Sequence, residues 1–301
     1  MKSFAVRFFL LATCATFSLA ASVSSEETGG WWPLSGEFNA EATYVGEADV
    51  ERGPRKAVRD FDEIDSDIRL VLTPRTRFGV LRLGAEWERF SFGFPDNAAL
   101  PNTLQSFSTI IGLDMQFSDS IIVRAETQPG IYNSGLGHLF WDDFNMPFVI
   151  GGTYIYSPDL QLILGASVDV ERKYPVLPAV GVRWKIASQW LFDGVLPKPR
   201  LVYELNRAVS LYAGATIRES TFRVDDEFGV SHGIPRLNHA VLTYSEIRTG
   251  AGFDWKISPM ITFTAEAGYQ PYREFDFYRA EVRYHHVGGA PYGTIALHGT
   301  F

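Results

Sequence analysis

The residues best suited to chemistry lie in one polar segment. Asp142 and Asp143 are adjacent acids, and His138 precedes them at the end of a glycine-rich run. A carboxylate pair beside a histidine could act as general acid and base in a hydrolase. The competing interpretation is a solvated loop, because acids and glycines together are typical of turns. We favour the loop and predict no catalytic residue.

Three other groups have reactive side chains without the required spacing. Ser231 and His232 are neighbours in sequence, and neighbours rarely form a nucleophile–base pair. His285 and His286 have no third ligand at a spacing typical of zinc sites. The acidic run 225–227 is best explained as a solvated loop tip, with weak calcium binding as the alternative. We therefore predict no metal site, no cofactor and no enzymatic activity, keeping a hydrolase around His138 as a minor alternative.

Composition narrows the class of protein. The 301 residues include 27 Lys and Arg against 35 Asp and Glu, a formal net charge of −8. Nucleic-acid binding normally requires a basic surface, so no nucleic-acid partner is expected. Aromatic residues make up 14% of the chain, which favours strands over helices.

The N-terminus has the pattern of a secretory signal peptide. Lys2 and Arg7 precede the apolar run 8–17, and a small-x-small cleavage site ends at Ala20. The apolar run is too short to span a bilayer as a helix. The single cysteine, Cys14, lies inside this segment, so the processed chain would contain no thiol.

The segment 291–301 shows strict alternation and ends on Phe301. Leu297, Ile295 and Gly293 share the face of Phe301, while the other face is mostly polar. An aromatic end suits the interface belt of a closed membrane barrel, whose last strand pairs with its first. Such a strand resembles the closing strand of bacterial outer-membrane proteins, which implies recognition by their assembly machinery. We predict that it pairs antiparallel with 36–45.

The same alternation recurs along the chain and predicts about fourteen strands, within a range of twelve to sixteen. The connections alternate between tight turns and longer polar loops, as in outer-membrane barrels. The sequence thus predicts a signal peptide at 1–20, an N-terminal leader at 21–35 and a closed antiparallel up-and-down transmembrane β-barrel at 36–301. The predicted long loops are 46–60, 91–105, 129–147, 171–178, 222–239 and 271–290.

Aromatic residues flank both kinds of connection. Amphipathic rings prefer the boundary between lipid and water, so these positions predict two interface belts in contact with outer-membrane lipid. The residues that we assign to the belts are Trp87, Tyr154, Tyr156, Trp184, Trp255 and Tyr269.

The polar faces of the strands distinguish a membrane barrel from a soluble one. A small soluble β-barrel fills its interior with apolar side chains, whereas here charges of both signs lie opposite the apolar faces. We expect these charges to point into the lumen, where they pair across strands and also line a polar path. The predicted lumen residues are Arg82, Glu86, Asp114, Arg124, Glu126, Arg183, Lys185, Arg218, Glu246, Arg248, Asp254, Lys256 and Glu266.

Four segments resemble a known group of sequences. They are 174–184, 196–201, 272–277 and 290–292. The chain resembles an uncharacterised family of signal-bearing bacterial proteins known only as a domain of unknown function. That resemblance implies an outer-membrane barrel and supplies no activity or catalytic residue.

The sequence therefore predicts an outer-membrane barrel that acts as a passive pore or uptake channel for a small solute. A non-transporting barrel, serving as an anchor or as a binding surface through its long loops, is the main alternative. The solute, the oligomeric state and the presence of a plug are left open by the sequence.

Overall fold

A computed structural model describes residues 35–53, 57–94, 98–135 and 141–301. The predicted signal peptide and all of the leader except Ser35 lie outside this range, as does His138. Within it, strands predominate. The helical elements are an α-helix, α1, at Phe228–Ser231 and 3-10 turns at Trp141–Asp143, Pro235–Leu237 and Tyr278–Ala280.

Fourteen barrel strands follow one another around a single closed sheet, and four of them contain a short break. The first seven are β1 Gly36–Glu51, β2 Ala57–Leu72 with Arg75–Thr76, β3 Gly79–Gly93, β4 Thr103–Ser118, β5 Ile121–Thr127 with Gly130–Asn133, β6 Phe144–Asn145 with Phe148–Ser157, and β7 Leu160–Val168. The others are β8 Val176–Ala187, β9 Trp190–Asp193, β10 Arg200–Glu204, β11 Val209–Arg223, β12 Val241–Ser258, β13 Ile261–Phe277, and β14 Val282–Val287 with Ala290–Thr300.

The closing strand pairs as its sequence predicts. β14 lies antiparallel to β1, with a register that runs from Glu37 opposite Thr300 to Val45 opposite Tyr292. Phe301 exchanges backbone hydrogen bonds with Gly36, at N–O distances of 2.7 and 3.0 Å. The predicted closed antiparallel barrel of fourteen strands is confirmed. Closure pairs the backbone N–H and C=O groups of the first and last strands with each other. In apolar surroundings such groups cannot be left without hydrogen bonds.

Short serine turns connect strands at one rim. In the turns after β4, β6 and β12, the hydroxyls of Ser118, Ser157 and Ser258 accept hydrogen bonds from the backbone N–H two residues later, at 3.2–3.3 Å. A hydroxyl that accepts such a bond takes the place of a backbone partner in a tight turn. The local sequence thus fixes the short-turn rim.

The long-loop side differs from the prediction. Strand structure continues to Glu51 and resumes at Ala57, and it extends through Phe277 and again from Val282. The predicted long loops at 46–60 and 271–290 are therefore wrong. Polar residues cover the outer faces there, while apolar residues such as Phe61 and Phe275 are buried inside. In the half of the barrel next to the short-turn rim, which we call the lower barrel, apolar residues face outward instead. Because the faces are exchanged at the long-loop end, the strands there lack the outward apolar face that predicts a membrane strand.

The outer surface of the lower barrel is an apolar band. Ile64, Ile111, Leu164 and Ile295 are 44–67% exposed on it. Five of the predicted belt residues are also exposed on this surface and Trp87 is half-buried; the five are Tyr154, Tyr156, Trp184, Trp255 and Tyr269. No helix in the described part of the chain is long and apolar enough to span a bilayer.

The strands differ in height. β11–β14 and β1–β4 extend beyond the apolar band on the long-loop side, whereas β6–β10 are shorter. On the long-loop side of these short strands, β11 meets β5 directly, through a backbone pairing of Arg223 with Asn133. The barrel therefore narrows toward its long loops, and its wall is lowest around β9 and β10.

Candidate functional site

The lumen is filled with aromatic and aliphatic side chains at the long-loop end. Phe90 and Tyr244 have ring centroids 4.9 Å apart, and those of Phe92 and Phe275 are 5.2 Å apart. Leu100 and Leu237 pack into the same cluster from the loops and are no more than 1% exposed. We call this cluster the aromatic cap; its buried members include Val50, Phe61, Phe90, Phe92, Leu104, Phe222, Phe228, Leu242, Phe275 and Phe277.

A buried layer of charges lies next to the cap. The Arg248 guanidinium donates to Asp65 at 2.8 Å and to Glu246 at 2.5 Å. Arg218 also bonds to Asp65, and all four side chains are less than 10% exposed. We call this group, with Glu63 and Arg273, the ionic layer.

Glu63 and Arg273 complete the ionic layer against the cap. The two side chains form an ion pair at 3.0 Å, and both are 0% exposed. Tyr244 donates a hydrogen bond of 2.7 Å to Glu63. The Arg273 guanidinium also lies 4.9 Å from the ring centroid of Phe61. Buried charges need such partners because each is costly to remove from water.

Beyond the ionic layer is a polar cavity of about 380 Å³ that extends to the short-turn rim. Arg82 forms ion pairs with Glu37 at 3.0 Å and Glu126 at 3.1 Å. Arg69 contacts Glu126 at 2.8 Å from the neighbouring strand. The Glu37 side chain is 48% exposed at the rim. We call this space the lower cavity, and it is water-accessible at that end.

The charges that line the lower cavity are balanced. Among the described residues, eight acidic and eight basic side chains form its lining. The acids are Glu37, Glu41, Asp67, Glu86, Glu88, Asp169, Glu219 and Glu266, and the bases are Arg69, Arg82, Arg124, Arg172, Lys198, Arg200, Arg218 and Arg248.

The structure distributes the thirteen predicted lumen residues among several environments. Six line the lower cavity, namely Arg82, Glu86, Arg124, Arg218, Arg248 and Glu266. Four are held by partners: Asp114 by Arg124, Glu126 by Arg82, Arg183 by Asp193, and Asp254 by Thr264. Glu246 belongs to the ionic layer, and Lys185 and Lys256 are exposed on β8 and β12.

The groups first considered for chemistry stay apart from the lumen. Asp142 accepts a hydrogen bond from His239 at 3.1 Å if that ring nitrogen carries the proton, and His239 also contacts Asp226 at 2.7 Å. Sequence spacing gives no sign of the contacts of His239, because its acidic partners are distant in the chain. Ser231 and His232 are bonded to each other at 3.0 Å on the small helix. Asp142, Ser231 and His232 do not line the lower cavity.

The two adjacent histidines of β14 have different surroundings. His285 is exposed, whereas His286 is half-buried and its ring nitrogens have no hydrogen-bond partner among the described residues. Burial, together with the nearby Arg273 charge, lowers the pKa of His286 to about 4. The described residues contain no group of three His, Cys, Asp or Glu side chains that could hold a metal ion.

Several solved structures are similar to this chain at low sequence identity and with TM-scores below 0.5. An outer membrane channel from Pseudomonas putida F1 is 10% identical, with a TM-score of 0.45 and coverage of 93% of this chain and 100% of that one. A Pseudomonas aeruginosa FadL homologue is 9% identical, with a TM-score of 0.42 and coverage of 89% and 90%. The translocator domain of autotransporter NalP from Neisseria meningitidis is 14% identical, with a TM-score of 0.38 and coverage of 88% of each chain. Similarities at this level assign no activity.

The sequence comparison identifies the family. No curated protein matches the chain. The family model described as "Domain of unknown function (DUF6268)" matches residues 96–286, which is more than half of the sequence. Three of the four segments that carried the resemblance lie within this range, and the predicted resemblance to an uncharacterised family is confirmed. The chain belongs to the DUF6268 family.

Proposed function

We propose that this protein is a bacterial outer-membrane channel for small polar solutes. The observation that supports it most is a water-accessible, charge-lined cavity inside a closed barrel that has an apolar outer band. Lipid would cover the band, and the aromatic belts would lie at its boundaries. Delivery by a cleaved signal peptide and recognition of the closing strand by assembly machinery remain predictions of the sequence.

The balanced lining indicates the class of solute. A cavity lined by one sign of charge concentrates ions of the other sign, whereas eight acids and eight bases favour neither. Paired charges and hydroxyls can still bond to hydroxyl, amino and carboxylate groups of a solute. Small neutral or zwitterionic solutes, such as sugars and amino acids, fit this chemistry best.

Ion selectivity in planar bilayers tests the proposal. We expect the wild-type protein to conduct potassium and chloride with a permeability ratio near one. Replacing Lys198, which pairs with Glu41 at 3.3 Å inside the cavity, by glutamate leaves an excess of acids. Lys198→Glu should raise the preference for potassium by up to about tenfold.

Lys185→Glu is the matched control, because Lys185 is exposed and does not line the lower cavity. It should leave the permeability ratio unchanged. A current whose selectivity responds equally to both substitutions would argue against conduction through this cavity.

The aromatic cap favours the alternative of a non-transporting barrel. Its buried side chains obstruct the axis at the long-loop end, as expected for an anchor that presents its loops. The same bilayer recordings separate the two functions, because an anchor would give no current at all.

A further inference from the structure

The barrel wall is incomplete between β8 and β11. β9 has four residues and β10 has five, whereas β8 has 12 and β11 has 15. β9 pairs with the end of β8 at 183–187, and β10 pairs with the start of β11 at 210–214. Toward the long-loop end, beyond these pairings, β9 and β10 no longer lie between β8 and β11. Adjacent strands lie about 4.8 Å apart, so β9 and β10, where they are present, separate β8 from β11 by three such spacings.

The connection between β9 and β10 fills only the lower part of this gap. Gly194 donates to the carbonyl of Val182 at 2.8 Å on one side. Ala215 and Ile217 donate to the carbonyls of Pro199 and Pro197 at 3.0 and 2.9 Å on the other. Above Ile217, the described backbone has no hydrogen bond across the gap until Arg223 meets β5.

The lower cavity passes around the free edge of β11. Successive residues of a strand point to opposite faces. In an intact barrel wall, therefore, mainly every second side chain of a strand lines the lumen. Here all eight consecutive residues of 214–221 line the cavity, including Glu219 and Thr221, which alternate with Arg218 and Ser220 and are themselves largely buried. The cavity therefore extends around this edge of β11 as far as residues that the 169–175 loop covers.

The loop 169–175, which joins β7 to β8, closes the gap with ion pairs. Arg172 donates to Ser167 at 2.9 Å and lies 3.6 Å from Glu219 across the gap. Glu171 contacts Arg223 at 3.3 Å and Arg279 at 3.0 Å. We call this segment the strap. It is held to β11 and its neighbours by charged side chains, with no ladder of backbone hydrogen bonds.

We infer that the gap is a lateral portal through which small polar solutes pass between the exterior and the lower cavity, and that the strap is its gate. This inference rests on the proposed channel function. The axial route is obstructed by the apolar cap, where a polar solute would lose hydrogen bonds to water without replacement. The portal instead offers Ser167, Asp169, Arg172 and Glu219 as partners.

Reversible cross-linking of the strap tests the portal. The single cysteine, Cys14, lies in the predicted signal peptide, so introduced cysteines would be the only thiols of the processed chain. Arg172→Cys/Glu219→Cys protein is inserted into liposomes, treated with a bis-methanethiosulfonate reagent that joins the two thiols through a spacer with a disulfide at each end, and tested for entry of glycine and arabinose. The disulfide-linked spacer should reduce entry to the level of protein-free liposomes, and dithiothreitol should restore it.

A charge-reversal series checks the gate without a cross-link. Arg172→Glu should repel Glu219 and raise the entry rate severalfold, and adding Glu219→Arg should restore the pair and the original rate. Arg89→Ala is the control, because Arg89 is an exposed arginine that donates a hydrogen bond to Ser91 of its own strand. It should leave entry unchanged.

The outcomes distinguish this inference from the function on which it rests. If the wild type or Arg172→Glu admits solute and the disulfide-linked spacer leaves the rate unchanged, the portal is refuted and the channel stands. If neither protein admits solute, both the channel and the portal are refuted.

Discussion

At the scale of single residues, the ionic layer is the most constrained part of the molecule. Arg273 and Glu63 have no exposed surface and are 3.0 Å apart. A buried ion pair often adds little net stability, but removing one partner leaves an uncompensated charge in a medium of low polarity. The layer therefore fixes the packing of β2, β12 and β13 below the aromatic cap.

Arg273→Ala should lower the free energy of unfolding by about 3–5 kcal/mol, because Glu63 would lose its buried partner. Reversible urea unfolding of the barrel in lipid vesicles measures this change. Arg283→Ala is the control; Arg283 is 48% exposed and pairs with Asp276 at 2.7 Å, so its loss should cost about 0–1 kcal/mol. Equal effects of the two substitutions would contradict the assignment of Arg273 to a buried layer.

At the scale of elements, alternation predicted the strands wherever one face meets the apolar band. The strand 36–45 and its partner 291–301 are examples, since outward apolar residues repeat there without interruption. The upper halves of β2 and β13 were missed because their apolar residues point inward to the cap. The run Glu86, Glu88, Phe90 and Phe92 of β3 shows this change on a single face. The change from polar to apolar residues on the inner face of a strand is thus the sequence feature that could have predicted the cap.

Closure between the first and last strands gives a prediction for a pair of substitutions. Ala40 lies directly opposite Leu297, and opposed residues have Cβ atoms about 4.5–5.5 Å apart. Ala40→Cys/Leu297→Cys protein should form an intramolecular disulfide on mild oxidation. Mass spectrometry of a tryptic digest should find the linked peptides in most molecules.

The control for closure pairs Ala40→Cys with Ala251→Cys on β12, which is not a neighbour of β1. This protein should give no linked peptide. Absence of the Ala40–Leu297 link in folded protein, or equal linking in both variants, would show that the barrel does not close between these strands.

At the scale of the whole molecule, three layers follow one another along the lumen: the aromatic cap, the ionic layer and the lower cavity. Sequence patterns predicted charges inside the barrel, but they did not show that segments 98–102 and 224–240 would supply Leu100 and Leu237 to a cap. They also did not reveal the portal, because it depends on how far β9 and β10 rise beside longer neighbours. The cap and the relative lengths of neighbouring strands depend on contacts between segments that are distant in sequence. Periodicity within one segment does not contain that information.

Solute entry into liposomes is the most direct test of the account as a whole. Purified wild-type protein is reconstituted, and swelling is followed in isotonic glycine, arabinose and stachyose. The cavity of about 380 Å³ and its balanced lining predict rapid entry of glycine and arabinose, with slow entry of the larger sugar. Swelling no faster than that of protein-free liposomes for all three solutes would contradict the claim that this barrel is a channel.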